Sequence, residues 1–177
     1  MTNPDENGLT VDALKILTFV LDDELFAIEI SGIQEVLEFK GATKVPKTPP
    51  FMLGVINLRG KVIPIVDLRE QFELGKKQRT VDTCVIIVQV TIDGEETPLG
   101  ILADAVKEVL EVPMADINPP PRIGNKINSA YIFGMAKIED DFVILLRLAK
   151  IFSADELQSV VGELAEADLD SSETHDE

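Results

Sequence analysis

The sequence predicts a mainly β protein: two small barrels packed on a shared apolar core, with short helices and one further helix near the C-terminus. Three observations predict it. Apolar residues make up 45% of the 177 positions, enough for one sizeable core or for two small barrels sharing one. The longest apolar runs, such as Cys84–Val88, have the length of strands and fall far short of the roughly 20 residues of a membrane span. The stretch Leu53–Phe72 (LGVINLRGKVIPIVDLREQF) returns without gaps as Phe133–Phe152 (FGMAKIEDDFVILLRLAKIF).

Taken in order, residues 1–15 read as a flexible N-terminal segment. Met1 to Gly8 is polar and acidic and lacks a charged-then-apolar secretion pattern, so a cytoplasmic address is expected. Two strands flank the turn Asp22-Asp23-Glu24, and Phe26-Ala-Ile28 leads into Ile33–Glu38. Apolar residues at i, i+3 and i+4 predict a short helix there. The first copy of the repeat is a strand, a tight turn at Arg59-Gly60 and a second strand. A helix follows, opened by the capping box Asp67-Leu-Arg-Glu70 and running through Phe72.

The second half repeats this plan. A turn at Asp93-Gly94-Glu95 precedes the strand Leu99-Gly-Ile101, and Val106–Glu111 matches the first predicted helix. The second copy of the long repeat turns at Asp140-Asp141. Gly54 matches Gly134, Leu58 matches Ile138, Ile65-Val66 matches Leu145-Leu146, and Phe72 matches Phe152. Ser153-Ala-Asp-Glu156 is a second capping box, opening a helix whose stripe of Leu157, Val160, Val161 and Leu164 is expected to dock on the body. The folded body is thus residues 16–157, in two halves of 16–80 and 81–157, followed by the end of the last helix and an acidic, disordered tail over 158–177. A half of this size cannot leave its strand edges open, and rolling each into a small barrel is the economical arrangement.

Charge excludes whole classes of partner. The net charge of −16 repels phosphate backbones and anionic lipid surfaces, so neither nucleic acid nor direct membrane insertion is expected. From Ile151 to Glu177 there is no Lys or Arg, while acids recur throughout. Between Phe39 and Val66 the balance reverses: Lys40, Lys44, Lys47, Arg59 and Lys61 occur with no Asp or Glu. These cations are either ordinary solvated loop residues or a face for an acidic partner.

Catalytic chemistry is nearly absent. The one histidine, His175, lies in the acidic tail, and one histidine with one cysteine cannot furnish a nucleophilic triad or a structural zinc site. Gly60-Lys61 lacks the rest of a phosphate-binding loop. Cys84 reads as a core thiol, and the acidic pairs sit in turns. No enzyme activity, cofactor or metal is expected. The two repeat copies differ most at their turns, where only the first carries an arginine before the glycine. Gly60 supplies positive φ; Arg59 is either solvated or poised for bidentate pairing with a carboxylate.

At these residues the chain resembles the CheW family of chemotaxis coupling proteins. The likeness runs through Phe19–Ile30, Ile33-Gln-Glu-Val36, Thr48-Pro-Pro-Phe51, Gly54-Val-Ile-Asn-Leu-Arg-Gly60 and Pro64-Ile-Val-Asp-Leu68. It covers roughly Leu17 to Leu157, more loosely in the second half. The resemblance implies two SH3-like, five-stranded β-barrel subdomains around a shared hydrophobic core. It implies a non-enzymatic adaptor that couples the cytoplasmic tip of methyl-accepting chemoreceptors to the regulatory domain of the histidine kinase CheA. It also implies a cytoplasmic protein recruited to membrane-associated receptor arrays. Family positions linked to receptor contact match Ile30, Ile33, Glu35, Thr43, Gly54 and Arg59. A scaffold of the same type serving a chemosensory pathway other than motility is the alternative. A basic, aromatic nucleic-acid barrel does not fit a chain with no Trp and one Tyr.

Overall fold

A computed structural model describes residues 12–151, apart from residues 77, 93, 121–126 and 128. The first half supplies β1 (Ala13–Leu21), β2 (Glu24–Glu29), β3 (Ile33–Glu38), β4 (Met52–Leu58), β5 (Lys61–Val66) and the single-turn helix α1 (Leu68–Gln71). The second supplies β6 (Cys84–Ile92), β7 (Glu95–Ala103), β8 (Ala105–Pro113), the short β9 (Ile117–Asn118), β10 (Ile132–Ile138), β11 (Asp141–Leu146) and α2 (Leu148–Ile151). β1 begins at Ala13, inside the segment expected to be flexible. The capping box and helix expected from Ser153 onward, and the acidic tail, lie outside the described residues.

The strands form two sheets, in the orders β8-β1-β2-β11-β10-β9 and β3-β6-β7-β5-β4. Each sheet therefore draws on both halves. The hairpin β1–β2 of the first half sits between β8 and β11 of the second, and the hairpin β6–β7 sits between β3 and β5 of the first. Whether strands swap between the two barrels is left open by the sequence; in the structure the halves exchange hairpins. The physical reason is the short link after each hairpin, which directs β3 and β8 away from the strands just completed.

Both sheets curl back on themselves. The chain leaving β3 returns at Thr43, whose N–H and C=O exchange hydrogen bonds of 2.8 and 2.9 Å with Val55 on the opposite edge strand β4. The chain leaving β8 does the same through β9, which pairs with Met135 and Ala136 of β10. The matched glycines of the repeat stand where these returning segments cross. A Cβ on Gly54 would lie 2.4 Å from the Thr43 carbonyl oxygen, and one on Gly134 would lie 2.8 Å from that of Asn118. Bulges between Met52 and Gly54 and between Ile132 and Gly134 bend β4 and β10 at the same repeat positions.

Three apolar clusters follow from strand alternation. Ile16, Ala27, Val112, Ala136, Val143 and Leu145 fill one barrel. Ile63, Ile65, Val85, Ile87 and Leu102 fill the other. Between them lies a larger shared core that includes Phe19, Phe26, Phe72, Ile86, Val88, Leu99 and Ile101. The continuous apolar run of β6 is thereby explained: Val85 and Ile87 face the barrel interior, while Ile86 and Val88 face the shared core. The stacked rings of Phe19, Phe26 and Phe72 tie the first hairpin to the residue that ends α1.

A buried polar network pins the same region. Asp67 caps α1 by accepting from the Arg69 N–H at 3.0 Å, as the sequence predicts. The reciprocal half of the capping box is not made, because the Asp67 N–H donates to Phe51 and the Glu70 carboxylate pairs with Lys76. The Arg69 guanidinium instead forks onto Asp67 (2.9 and 3.0 Å) and reaches Asp104 at 2.7 Å. The other Asp104 oxygen accepts from the Asp22 N–H at 2.7 Å. Burial pulls the Arg69 pKa down, but pairing with Asp67 and Asp104 outweighs it and leaves the group above its ordinary value.

Two further expectations are corrected. Ile33–Glu38 and Val106–Glu111 are not helices but the strands β3 and β8. Six residues cannot satisfy a helix's own backbone groups, whereas pairing with β6 and β1 satisfies them in register. The turn of the second copy is Glu139-Asp140, with Asp141 already the first residue of β11.

Candidate protein-docking site

The six singled-out residues fall into three local contacts on the barrel completed by β3 and β4. Ile30 opens a 3-10 turn (Ile30–Gly32), and it and Ile33 pack, half-buried, against the shared core. A bulge between Ile33 and Glu35 sets Ile33 opposite Val88 and Glu35 opposite Ile87. Because cross-strand partners share a face, Ile33 and Val36 look toward the shared-core side, and Glu35 turns to the other. The expected grouping of Ile33 and Val36 beside Glu35 on one helix is replaced by this two-faced strand. Val36 is 40% exposed.

Glu35 meets Arg59 at the β4–β5 turn, and their side chains form an ion pair. The Arg59 side chain is 70% exposed and that of Glu35 30%. Arg59 and Gly60 both have positive φ, +50° and +87°, the signature of a tight two-residue hairpin turn. Asn57 Oδ1 accepts from the Gly60 N–H at 3.1 Å and braces the turn. Asn-Gly is the pair such a turn favours, and a non-glycine residue other than Asn or Asp is held there at some cost. Arg59 is therefore not a choice dictated by the hairpin. Thr43 and Gly54 form the third contact, where the returning chain crosses β4.

Around this crossing opens a groove of about 790 Å³, lined among others by Glu38, Phe39, Lys40, Thr43, Asn57 and Leu58. Lys40, Lys44, Lys47, Arg59 and Lys61 are all exposed, as the charge pattern requires of a solvated or partner-facing zone. The sequence reading missed a further member. Arg79, from the loop before β6, lays its guanidinium over the Phe39 ring at 5.4 Å. Its separation in sequence from the Phe39–Val66 zone concealed it, and only the pairing of β3 with β6 brings the two together.

The chemistry available here is recognition. Among the described residues no group of three His, Cys, Asp or Glu side chains could hold a metal ion. No helix among them is long and apolar enough to cross a membrane. Cys84 opens β6 half-buried rather than in the core, donating to the Asp82 carbonyl at 3.1 Å, and burial raises its thiol pKa.

Comparison with known proteins agrees with this architecture. A family model described as a CheW-like domain matches residues 15–156. The chemotaxis protein CheW of Rhizobium meliloti is 32% identical over 159 residues, covering 90% of this chain and 99% of that protein. CheW of Treponema pallidum is 30% identical over 149 residues, covering 84% and 88%. The crystal structure of the scaffolding protein TtCheW from Thermoanaerobacter tengcongensis superposes with a TM-score of 0.73 at 36% identity, covering 84% of this chain and 93% of that one. With the matched region spanning both barrels and the solved relative sharing the fold, the chain belongs to the CheW-like family.

Proposed function

We propose that this chain is the adaptor that couples the cytoplasmic hairpin tip of methyl-accepting chemoreceptors to the regulatory domain of the histidine kinase CheA. Family membership carries the coarser part: it is a non-enzymatic scaffold of chemotaxis signalling. The finer part rests on one observation, the Glu35–Arg59 ion pair at an exposed hairpin tip. A receptor hairpin is an exposed helical surface, and holding one takes apolar anchors beside charged rim groups. The Glu35 carboxylate restrains the guanidinium while the Arg59 side chain stays largely exposed. Ile30, Ile33, Thr43 and Gly54 are assigned to the same docking site: the first two as apolar groups on the shared-core side of β3, the last two as the rigid backbone crossing of β4. The complex would be recruited to receptor arrays at the membrane through the receptor.

Pull-down with a purified receptor signalling hairpin tests this. Arg59→Glu sets two carboxylates against each other and is expected to lower affinity at least tenfold. Stability should change by no more than about 0.5 kcal/mol, because both side chains are at the surface. The exchange Glu35→Arg with Arg59→Glu restores the ion pair in reverse. Recovery of binding in the exchanged protein would assign the pair a purely structural role and sink the assignment of Arg59 to the receptor.

A further inference from the structure

Asp104, the single residue between β7 and β8, belongs to the second half, but its N–H and both carboxylate oxygens bond to the first. The N–H donates to the Val20 carbonyl at 2.9 Å. One carboxylate oxygen accepts from Arg69 at 2.7 Å, and the other accepts from the Asp22 N–H at 2.7 Å. Asp22 in turn accepts from the Gly75 N–H at 2.8 Å, which fixes the β1–β2 turn against the chain leaving α1. Among the described residues, Asp67 and Arg69 are the only charged residues that are buried, and the Asp104 side chain is 11% exposed. One guanidinium between two carboxylates, one from each half, therefore closes this junction of the halves.

The repeat puts a second junction at the matching positions, and it is closed differently. β2 lies parallel to β11 with Ala27 opposite Leu145, as β7 lies parallel to β5 with Gly100 opposite Ile65. The Arg147 N–H donates to the Tyr131 carbonyl, as its mate Asp67 donates to Phe51, both at 2.8 Å. The backbones correspond, but the side chains do not. Arg147 stands in the place of Asp67, Ala149 in that of Arg69, and Ser31 in that of Asp104. These three residues line one cavity of about 560 Å³. The Arg147 guanidinium lies 5.6 Å over the ring of Phe133, a residue of its own half.

Because the halves are repeats, two like halves trading hairpins would bury much the same apolar faces as the native unlike pair. They would differ in the polar groups brought together. Two first halves would set Ser31 against Arg69 and the Asp22 N–H, and both would lose the Asp104 carboxylate. Two second halves would set Asp104 against Ala149, leaving the carboxylate without its guanidinium. A buried ion pair adds little over apolar packing, but removing one member is costly, so such a network discriminates more than it stabilises. We propose that the Asp67–Arg69–Asp104 clasp selects the partner in hairpin exchange, making each first half take up a second half and not another first half. The chain thereby closes on itself instead of joining its neighbours through like halves, the route by which exchange leads to dimers and open strings of molecules. This selection is independent of receptor docking.

The test uses the full chain with a protease site in the turn at Val81, which is 87% exposed. The protein is folded intact, nicked, and held in urea below its unfolding midpoint so that halves can change partners. Native mass spectrometry then reads which halves pair. The parent protein should hold unlike pairs, with like pairs fewer than about one in a hundred. Arg69→Ala with Asp104→Ser copies the mate residues into the clasp and should raise like pairs toward about half of the total, the random proportion. Ser31→Asp, Arg147→Asp and Ala149→Arg together build a clasp at the second junction, so that every pairing is equally served. Like pairs should again approach about half. This second variant adds a network instead of removing one, so loss of folding cannot stand in for loss of selection. Random pairing in the parent protein would overturn the proposal. Unlike pairs alone in either variant would do the same, because selection would then lie in the apolar packing.

Discussion

Gly54 and Gly134 hold matched positions in the repeat, yet a methyl group meets different obstacles at the two. At Gly54 the obstacle is backbone, the Thr43 carbonyl, and the residue's φ of +151° adds strain for any side chain. At Gly134 the obstacles are Ile117 Cγ2 at 2.5 Å and the Asn118 carbonyl oxygen at 2.8 Å, but no positive φ adds strain. Gly54→Ala is therefore expected to cost about 1–3 kcal/mol in urea denaturation, and Gly134→Ala less. Cys84 offers a second test. Its raised pKa means a smaller thiolate fraction at neutral pH than a free cysteine has. Alkylation of the folded protein at pH 7.5 should be slower than that of the urea-unfolded chain, and its climb with pH should come later than the unfolded chain's. At this scale two residues of the exposed turn were legible in the sequence. Gly60 stands out because a tight turn needs positive φ, and Arg59 because its twin Glu139 reverses the charge. The pairing of Arg59 with Glu35 was not readable, because it joins two strands whose register only the folded sheet sets.

The elements show where a short apolar pattern misleads. Ile33–Glu38 has apolar residues at helical spacing, but six residues fit a strand equally well, and the bulge after Ile33 moves one apolar residue out of strict alternation. That displacement is what imitates a helical stripe. The same happens in β8, where the shift between Leu17 and Phe19 accompanies the hydrogen bonds of 3.0 and 3.1 Å that Thr18 Oγ1 exchanges with the Glu108 backbone. Hairpins, by contrast, were legible from turn residues, to within one residue in the second copy of the repeat. The two-faced reading of β3 has a measurable consequence. Ile33→Asp places a carboxylate against the shared core and should cost about 2–4 kcal/mol in equilibrium unfolding. Val36→Asp, on the same face but 40% exposed, should stay near 0.5 kcal/mol. Equal losses at the two positions would contradict the difference in their burial.

On the scale of the whole molecule, the repeat announced two barrels and a shared core but not how the halves are wired. Nothing in a pattern of apolar runs distinguishes a half that closes on its own hairpin from one that lends it to its neighbour, since both bury the same faces. The exchanged arrangement makes stability a property of the full body. A fragment ending in the loop before Val81 should not fold, nor should the fragment beginning there. Mixed together they should recover the circular dichroism of the intact protein, and the intact protein should unfold in a single transition. Folding of either fragment alone would refute the interlocked wiring. The reciprocal loan of β1–β2 and β6–β7 also constrains any shorter ancestor or engineered minimal version. A polypeptide carrying one repeat would hold a hairpin with no sheet to enter and a sheet lacking its middle strands. It could bury both only by trading with a second molecule, as an obligate twofold dimer, and joining two such protomers end to end would yield the present chain.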